Sequence, residues 1–314
     1  MATLKNKASH SNTIGILLSS TDDKFENSLL RGLANSITST GRNLICFTSG
    51  AIRSYHGFES QRNLLYDLVN KEVIDGLVIS GTLGHNISHQ EFLNFCKQYL
   101  PLKLVTVAIQ LEGIPAVLNG SQEGITNAVS HLIVEHNLQE IAFLRGPAGH
   151  QEADERYQAY IDTLHVHNIP YKPELVFQGD YTYNSGRLAV QNLHTKKVQA
   201  IVSANDSMIL GAMKTLSEYG LQIPEKISVT GFDDAEEARQ SNPPLTTLHQ
   251  SVYEMGLQAG KTLLEILDNE LSQTPVIIPP RLIIRNSCGC SDPKLERAGK
   301  VTIATSATTP PPIL

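Results

Sequence analysis

The sequence holds no cluster of Lys or Arg, and with 25 basic against 31 acidic residues its formal charge is -6. A polyanion partner needs a concentrated positive field, so this stretch carries no electrostatic footprint for direct nucleic-acid binding. Long apolar runs are missing as well. The first, Ile14 to Leu18, ends in Ser-Ser-Thr-Asp-Asp without a cleavage pattern and is too short for a signal-peptide core. Nothing elsewhere approaches the length that spans a bilayer, so the chain reads as cytoplasmic, with no membrane partner. No G-x-S-x-G, H-E-x-x-H, G-x-x-x-x-G-K-[ST] or G-x-G-x-x-G follows a strand-like stretch, which argues against an enzyme. Cysteine is scarce, at four residues. Cys46 and Cys96 sit in apolar contexts that suit core thiols, whereas Cys288 and Cys290 form a C-G-C pair. A zinc site wants a second such pair or nearby histidines, and the flanks offer neither, so neither metal nor cofactor is expected.

What is present is ordinary globular material, 41% hydrophobic and 18% charged over 314 residues, enough for one large core or two medium ones. Short apolar, β-branched runs alternate with amphipathic stretches: Thr13–Leu18 then Leu29–Thr40, Asn43–Thr48 then Gln61–Asn70, Gly76–Ser80 then His89–Tyr99, and Leu104–Ala108. Strand and helix in alternation mean βαβ units and a parallel sheet. The pattern pauses at Glu112–Val117 and restarts through Gln122–Glu135, Glu140–Arg145, Ala153–His167, Leu175–Gln178, Ser185–Leu193, Ala200–Ser203, Ser207–Tyr219 and Ser228–Thr230. That makes a second α/β unit. The strand-like Leu245–Gln250, the helix at Val252–Asn269 and the extended Val276–Arg285 are too few for a domain, so they complete sheets begun earlier and the chain crosses between lobes more than once.

Five ordered segments resemble the effector-binding core of the lactose-repressor and galactose-repressor family. They are Gly146-Pro147 with Glu155-Arg156-Tyr157, Ala204-Asn205-Asp206 through Ala212, Gly220 through Pro224, Val229-Thr230-Gly231-Phe232-Asp233-Asp234, and Pro243-Pro244-Leu245 through Gln250. The similarity covers about residues 13 to 288. It implies an α/β, two-lobed, periplasmic-binding-protein-like type I fold, each lobe a parallel sheet flanked by helices, with three strands forming the hinge. The expected lobes are 13–116 with 249–278 and 117–248 with 279–290, between a disordered start at 1–12 and a linker or disordered tail at 291–314. The family's helix-turn-helix headpiece is expected to be lacking, since twelve mostly polar residues precede the first strand. The run Arg285 to Cys290 resembles the exit from sensor modules that feed a diguanylate cyclase or histidine kinase, which implies an output domain of that kind.

Ligands of open α/β sheets bind at strand carboxyl ends, and two lobes facing each other make a cleft. The resemblance places eight residues there. Phe25 stacks on the ligand or starts the core of its helix; Ser80 presents a small hydroxyl or serves only the turn. Arg156 offers five fixed donors to paired hydroxyls or a carboxylate, against a surface ion pair with Glu152 or Glu155. Asp233 accepts from vicinal hydroxyls, while Asp234 is the solvated or capping neighbour. One of Asn205 and Asp206 must cap the following helix; in the family the Asn reaches the ligand and the Asp caps. Tyr181 supplies a second ring, Gln250 lies at a lobe crossing, and Asn119 stands where the family more often has Asp, which warns against a common sugar. His150 is a loop histidine, either solvated or facing the cleft. The implied function is a sensor module that closes on a small polar effector, such as a sugar or nucleoside, and relays this to a signalling or transcriptional output. The alternatives are a transcription regulator of the same family and a solute-binding protein for transport. A homodimer is implied by resemblance, through the helices at 29–40 and 61–70.

Overall fold

The structure is a computed structural model that describes residues 12–55, 57–148, 151–193, 196–268 and 274–290. The termini assigned above to disorder and a linker, and His150, lie outside the described residues. Along the chain come β1 (Thr13–Leu18), α1 (Lys24–Thr38), β2 (Asn43–Thr48), α2 (Glu59–Arg62), β3 (Gly76–Ser80), α3 (His89–Lys97), β4 (Lys103–Val107) and β5 (Ala116–Asn119). There follow α4 (Ser121–Val134), β6 (Ile141–Arg145), α5 (Gln151–Val166), β7 (Val176–Gln178), α6 (Tyr183–Leu193), β8 (Ala200–Ser203), α7 (Asp206–Glu218), β9 (Ser228–Asp233), α8 (Glu236–Gln240) and β10 (Thr246–His249). Last are α9 (Val252–Leu267), β11 (Val276–Ile278) and β12 (Arg281–Ile283).

These elements form two compact units. One runs through Ser121 and resumes over Gln250–Pro280; the other holds Gln122–His249 and resumes from Arg281. The first sheet has the order β11-β5-β4-β3-β1-β2 and the second β12-β10-β9-β8-β6-β7. Every pairing is parallel except β10 with β12. The matching orders make the units topological counterparts, each a doubly wound sheet with helices on its faces. All six residues of β1 are buried, as a central parallel strand covered on both faces requires. Its alternate side chains serve two cores: Ile14, Ile16 and Leu18 pack with Leu29 and Leu33 of α1 and Met255 and Leu263 of α9, while Leu17 faces Tyr66, Ile79 and Phe92. The second unit closes over Phe143, Tyr160, Val202 and Phe232.

Each unit is locked by one pair of helices in backbone contact. A Cβ added to Gly32 of α1 or Gly256 of α9 would strike the partner's carbonyl, at Tyr253 and Leu29, and Gly186 and Gly211 give α6 and α7 the same approach. Only glycine allows helix axes this close.

The structure departs from the sequence expectations in three places: the stretch 61–70, the first crossing and Cys46. The stretch 61–70 is not a regular helix: α2 lasts four residues and a 3₁₀ turn takes over at Asn63–Leu68, with Leu64 and Leu68 exposed. The first crossing follows Ser121 rather than Ala116, because β5 pairs with β4 and β11. The extended run at 276–285 is divided between the two sheets as β11 and β12, next to the expected bound at 278, and is broken at Pro279-Pro280, where a missing N–H ends pairing. Cys46 is exposed on β2, the edge strand, rather than in the core, while Cys96 is buried.

Candidate ligand-binding site

In the first unit the strand ends are organised by a residue the sequence reading missed. Glu26, fully buried in the first turn of α1, accepts from the Ser19 amide at 3.1 Å, the Ser19 hydroxyl at 2.7 Å and the Ser20 amide at 2.6 Å, and also from the Thr82 hydroxyl. It thereby ties the loop after β1 to the loop after β3. The signal was the Asp23-x-x-Glu26 spacing: Asp23 caps α1 by accepting from the Glu26 amide at 3.0 Å, which fixes where the glutamate points. Phe25 is half-buried against the apolar cluster under α1. Ser80 is fully buried at the end of β3, its hydroxyl 2.9 Å from that of Thr82. At the end of β5, Asn119 donates through Nδ2 to Gln250 Oε1 at 3.0 Å. Its own Oδ1 is buried and has no hydrogen-bond partner among the described residues.

In the second unit Arg156 is 3% exposed, and the ion pair weighed above forms with Glu152, with the guanidinium buried rather than at the surface. Its guanidinium lies 3.8 Å above the Phe232 ring, donates to the Ala204 carbonyl at 2.8 Å and to Glu152 at 2.7 Å. These fix a planar donor set at the strand ends. Tyr181, at φ 69°, seats its ring where a Cβ on Gly146 would lie. Burial pushes its hydroxyl up to about 12; Arg156 pulls the other way, and Glu152, Asp233 and Asp154 push up again. Asn205 donates to the Tyr181 carbonyl at 3.0 Å and caps α7 by accepting from the Met208 amide at 3.0 Å. The cap assignment is therefore reversed, because Asp206 turns inward. It accepts from the Thr247 hydroxyl at 2.6 Å and the Ala235 amide at 2.8 Å, and burial, reinforced by the charge of Asp233, raises it to about 8.

Asp233 ends β9 at φ 125°, half-buried. Asp234 is not solvated, since its carboxylate is 4% exposed and bonds Arg285 at 2.5 Å, Arg239 at 2.7 Å and His249 at 3.0 Å. Burial alone would raise its pKa, but the hydrogen bonds and charges of Arg239 and Arg285 outweigh that and hold it below the ordinary carboxylate value. Arg156, Tyr181, Asn205 and Asp233 are thus gathered at one end of the second sheet; Ser80, Asn119 and Gln250 stand in the first unit. A depression of about 780 Å³, lined by Leu221, Pro224, Pro243 and Asn286 among others, lies instead beside the segments entering β9 and β10. Those are strand amino ends, the wrong edge of an open α/β sheet for its ligand.

The C-G-C pair has partners after all. His131 of α4 and His136 just beyond it bring their side chains to Cys290, which lies 154 residues from His136 in sequence. Inspection of the flanks had no means of finding them.

Two counterpart α/β units with polar strand ends define, as a class, a type I periplasmic-binding-protein-like ligand-binding domain. The chain belongs to the periplasmic binding protein-like domain family, whose model matches residues 129–288. It is 28% identical over 298 residues to the HTH-type transcriptional repressor PurR of Photorhabdus laumondii, covering 90% of this chain and 81% of that protein. The PurR of Vibrio campbellii is 28% identical over 284 residues, with 90% and 82% covered. Among solved structures, the Escherichia coli transcriptional repressor ascG superimposes with a TM-score of 0.69 at 29% identity, covering 88% of this chain and 98% of that one. A sugar-binding LacI-family transcriptional regulator from Escherichia coli, complexed with phosphate, gives a TM-score of 0.71 at 28% identity, with 88% and 98% covered. The chain thus carries a ligand-binding domain like those of LacI-family regulators. These relatives are transcriptional repressors or regulators rather than enzymes, and they lend no support to the diguanylate cyclase or histidine kinase output expected after Cys290. The two PurR proteins carry an HTH-type name and extend beyond the matched part, so they give no support to the expected lack of a headpiece. No helix among the described residues is long and apolar enough to cross a membrane.

Proposed function

We propose that the chain is the effector-binding domain of a LacI-type transcription regulator and takes a small polar molecule of the sugar or nucleoside kind at its strand-end residues. The observation that carries this reading is the group formed by Arg156, Tyr181, Asn205 and Asp233, in which a buried, ring-stacked guanidinium and a strand-end carboxylate supply fixed donors and acceptors beside an aromatic ring. Asp233 would accept from vicinal hydroxyls, Arg156 would donate, and Tyr181 would cover an apolar ring face. The effector acts by binding one conformation more tightly than another, which shifts the population a partner or operator meets. A homodimer is part of this reading.

The test is a thermal-shift screen of monosaccharides, nucleosides and purines, since a ligand of the native state raises its melting point by mass action. A hit should lose most of its shift in Asp233→Asn, which keeps a residue type tolerant of positive φ and leaves the ligand-free melting point near wild type. An undiminished shift in Asp233→Asn would sink the assignment.

A further inference from the structure

We propose that His131, His136, Cys288 and Cys290 form a tetrahedral zinc site that clamps the segment after β12 to the end of α4. Zinc–nitrogen bonds of about 2.05 Å and zinc–sulfur bonds of about 2.3 Å, set tetrahedrally, place two nitrogens about 3.3 Å apart and a nitrogen and a sulfur about 3.6 Å apart. The two Nε2 atoms are 3.3 Å apart, and Cys290 Sγ lies 3.6 Å from His131 Nε2 and 3.3 Å from His136 Nε2. Cys288 Sγ completes a set whose four donor atoms all fall within 4.8 Å of one another. Two imidazole nitrogens and a thiol turned toward a common point have too few protons among them to satisfy every pair, whereas one cation satisfies all four groups.

The backbone is shaped for this convergence. Asn137, at φ 55°, closes the turn that follows α4, and the Leu138 amide bonds back to the Leu132 carbonyl at 3.2 Å, which keeps His136 on the side of His131. Gly289, at φ 103°, turns the chain between the two sulfurs, and a Cβ there would press to 3.3 Å from His136 Nδ1, so the ring needs glycine beneath it. Outer partners are in place: the Thr246 hydroxyl donates to Cys288 Sγ at 3.2 Å and the Ser228 hydroxyl to the Cys288 carbonyl at 3.0 Å. Thr246 and Ser228 begin β10 and β9, so this cluster sits at strand amino ends and not among the effector residues. Two sulfurs and two nitrogens from C-x-C and H-x₄-H pairs suit zinc, and four protein ligands leave no open position for catalysis, so the site is structural.

The full chain, reduced, stripped with chelator and titrated with Co²⁺, should bind one equivalent. It should develop the intense ligand-field bands of tetrahedral cobalt together with thiolate charge transfer, and one equivalent of Zn²⁺ should displace them. The spectrum should vanish in Cys290→Ser and in the double variant His131→Asn/His136→Asn, whose half-buried rings can be replaced without opening the core. Thr246→Val should weaken binding roughly tenfold or more. A weak octahedral spectrum, no binding, or an unchanged spectrum in either ligand variant would overturn the proposal.

Discussion

Asp206 shows how far burial bends the chemistry of a single side chain. Its pKa stands at about 8 against an ordinary 3.8, through burial first and the Asp233 charge second. The folded protein therefore keeps a proton that the unfolded chain releases near 3.8, so the stability this group contributes is full below that value and is lost as pH rises toward 8. Asp206→Asn should flatten that fall, read as the urea midpoint at successive pH values. Arg156 is the second such residue. Removing the guanidinium strips the Phe232 face and leaves the Ala204 carbonyl unbonded. Arg156→Ala should thus cost about 2 kcal/mol before any ligand is added, seen as a lower denaturant midpoint. The sequence motif singled out this arginine. It had no way to show the ring beneath it, because Phe232 lies far along the chain. For the same reason Glu26 went unseen: its partners are loop groups that only the fold assembles.

At the scale of elements, β1, β3 and β8 coincide with the apolar runs that marked them, because a buried parallel strand has no polar face to blur its ends. The exposed edge strand β2 coincides as well, whereas β5 overlaps the stretch read as a pause. Helix starts were less legible, since α1 begins at Lys24, ahead of its first regular apolar spacing, on the strength of the Asp23 cap. The stretch at 61–70 has helical spacing but exposes its leucines, so nothing holds it in α geometry. The α1–α9 contact was invisible in the sequence because glycine carries no hydrophobic signal. Gly256→Val would drive a branched side chain into the Leu29 carbonyl and should cost at least about 3 kcal/mol, measured as the shift in urea midpoint. β12 is anchored differently, through Arg285, which bonds Asp234 at 2.5 Å and the Leu245 carbonyl at 2.8 Å. Arg285→Ala should cost on the order of 2 kcal/mol, below the full penalty of a broken buried pair because Arg239 still faces Asp234. Its loss should deepen as pH rises above the carboxylate range, where Asp234 is charged.

For the whole molecule, the alternation of strand and helix disclosed two α/β units and repeated crossing, and the order of the sheets confirms counterpart halves. The exact crossings were not legible, because β5 and β11 are short and their pairing decides ownership. The residues proposed to hold the effector at the strand ends of the second unit are Arg156, Tyr181, Asn205 and Asp233. The direct measurement is isothermal titration of a screened ligand into the wild-type chain and Asp233→Asn. The variant should bind about tenfold or more weakly, a loss of about 1.4 kcal/mol, with its fold unchanged by circular dichroism. An unaltered Kd in Asp233→Asn would contradict the proposed site.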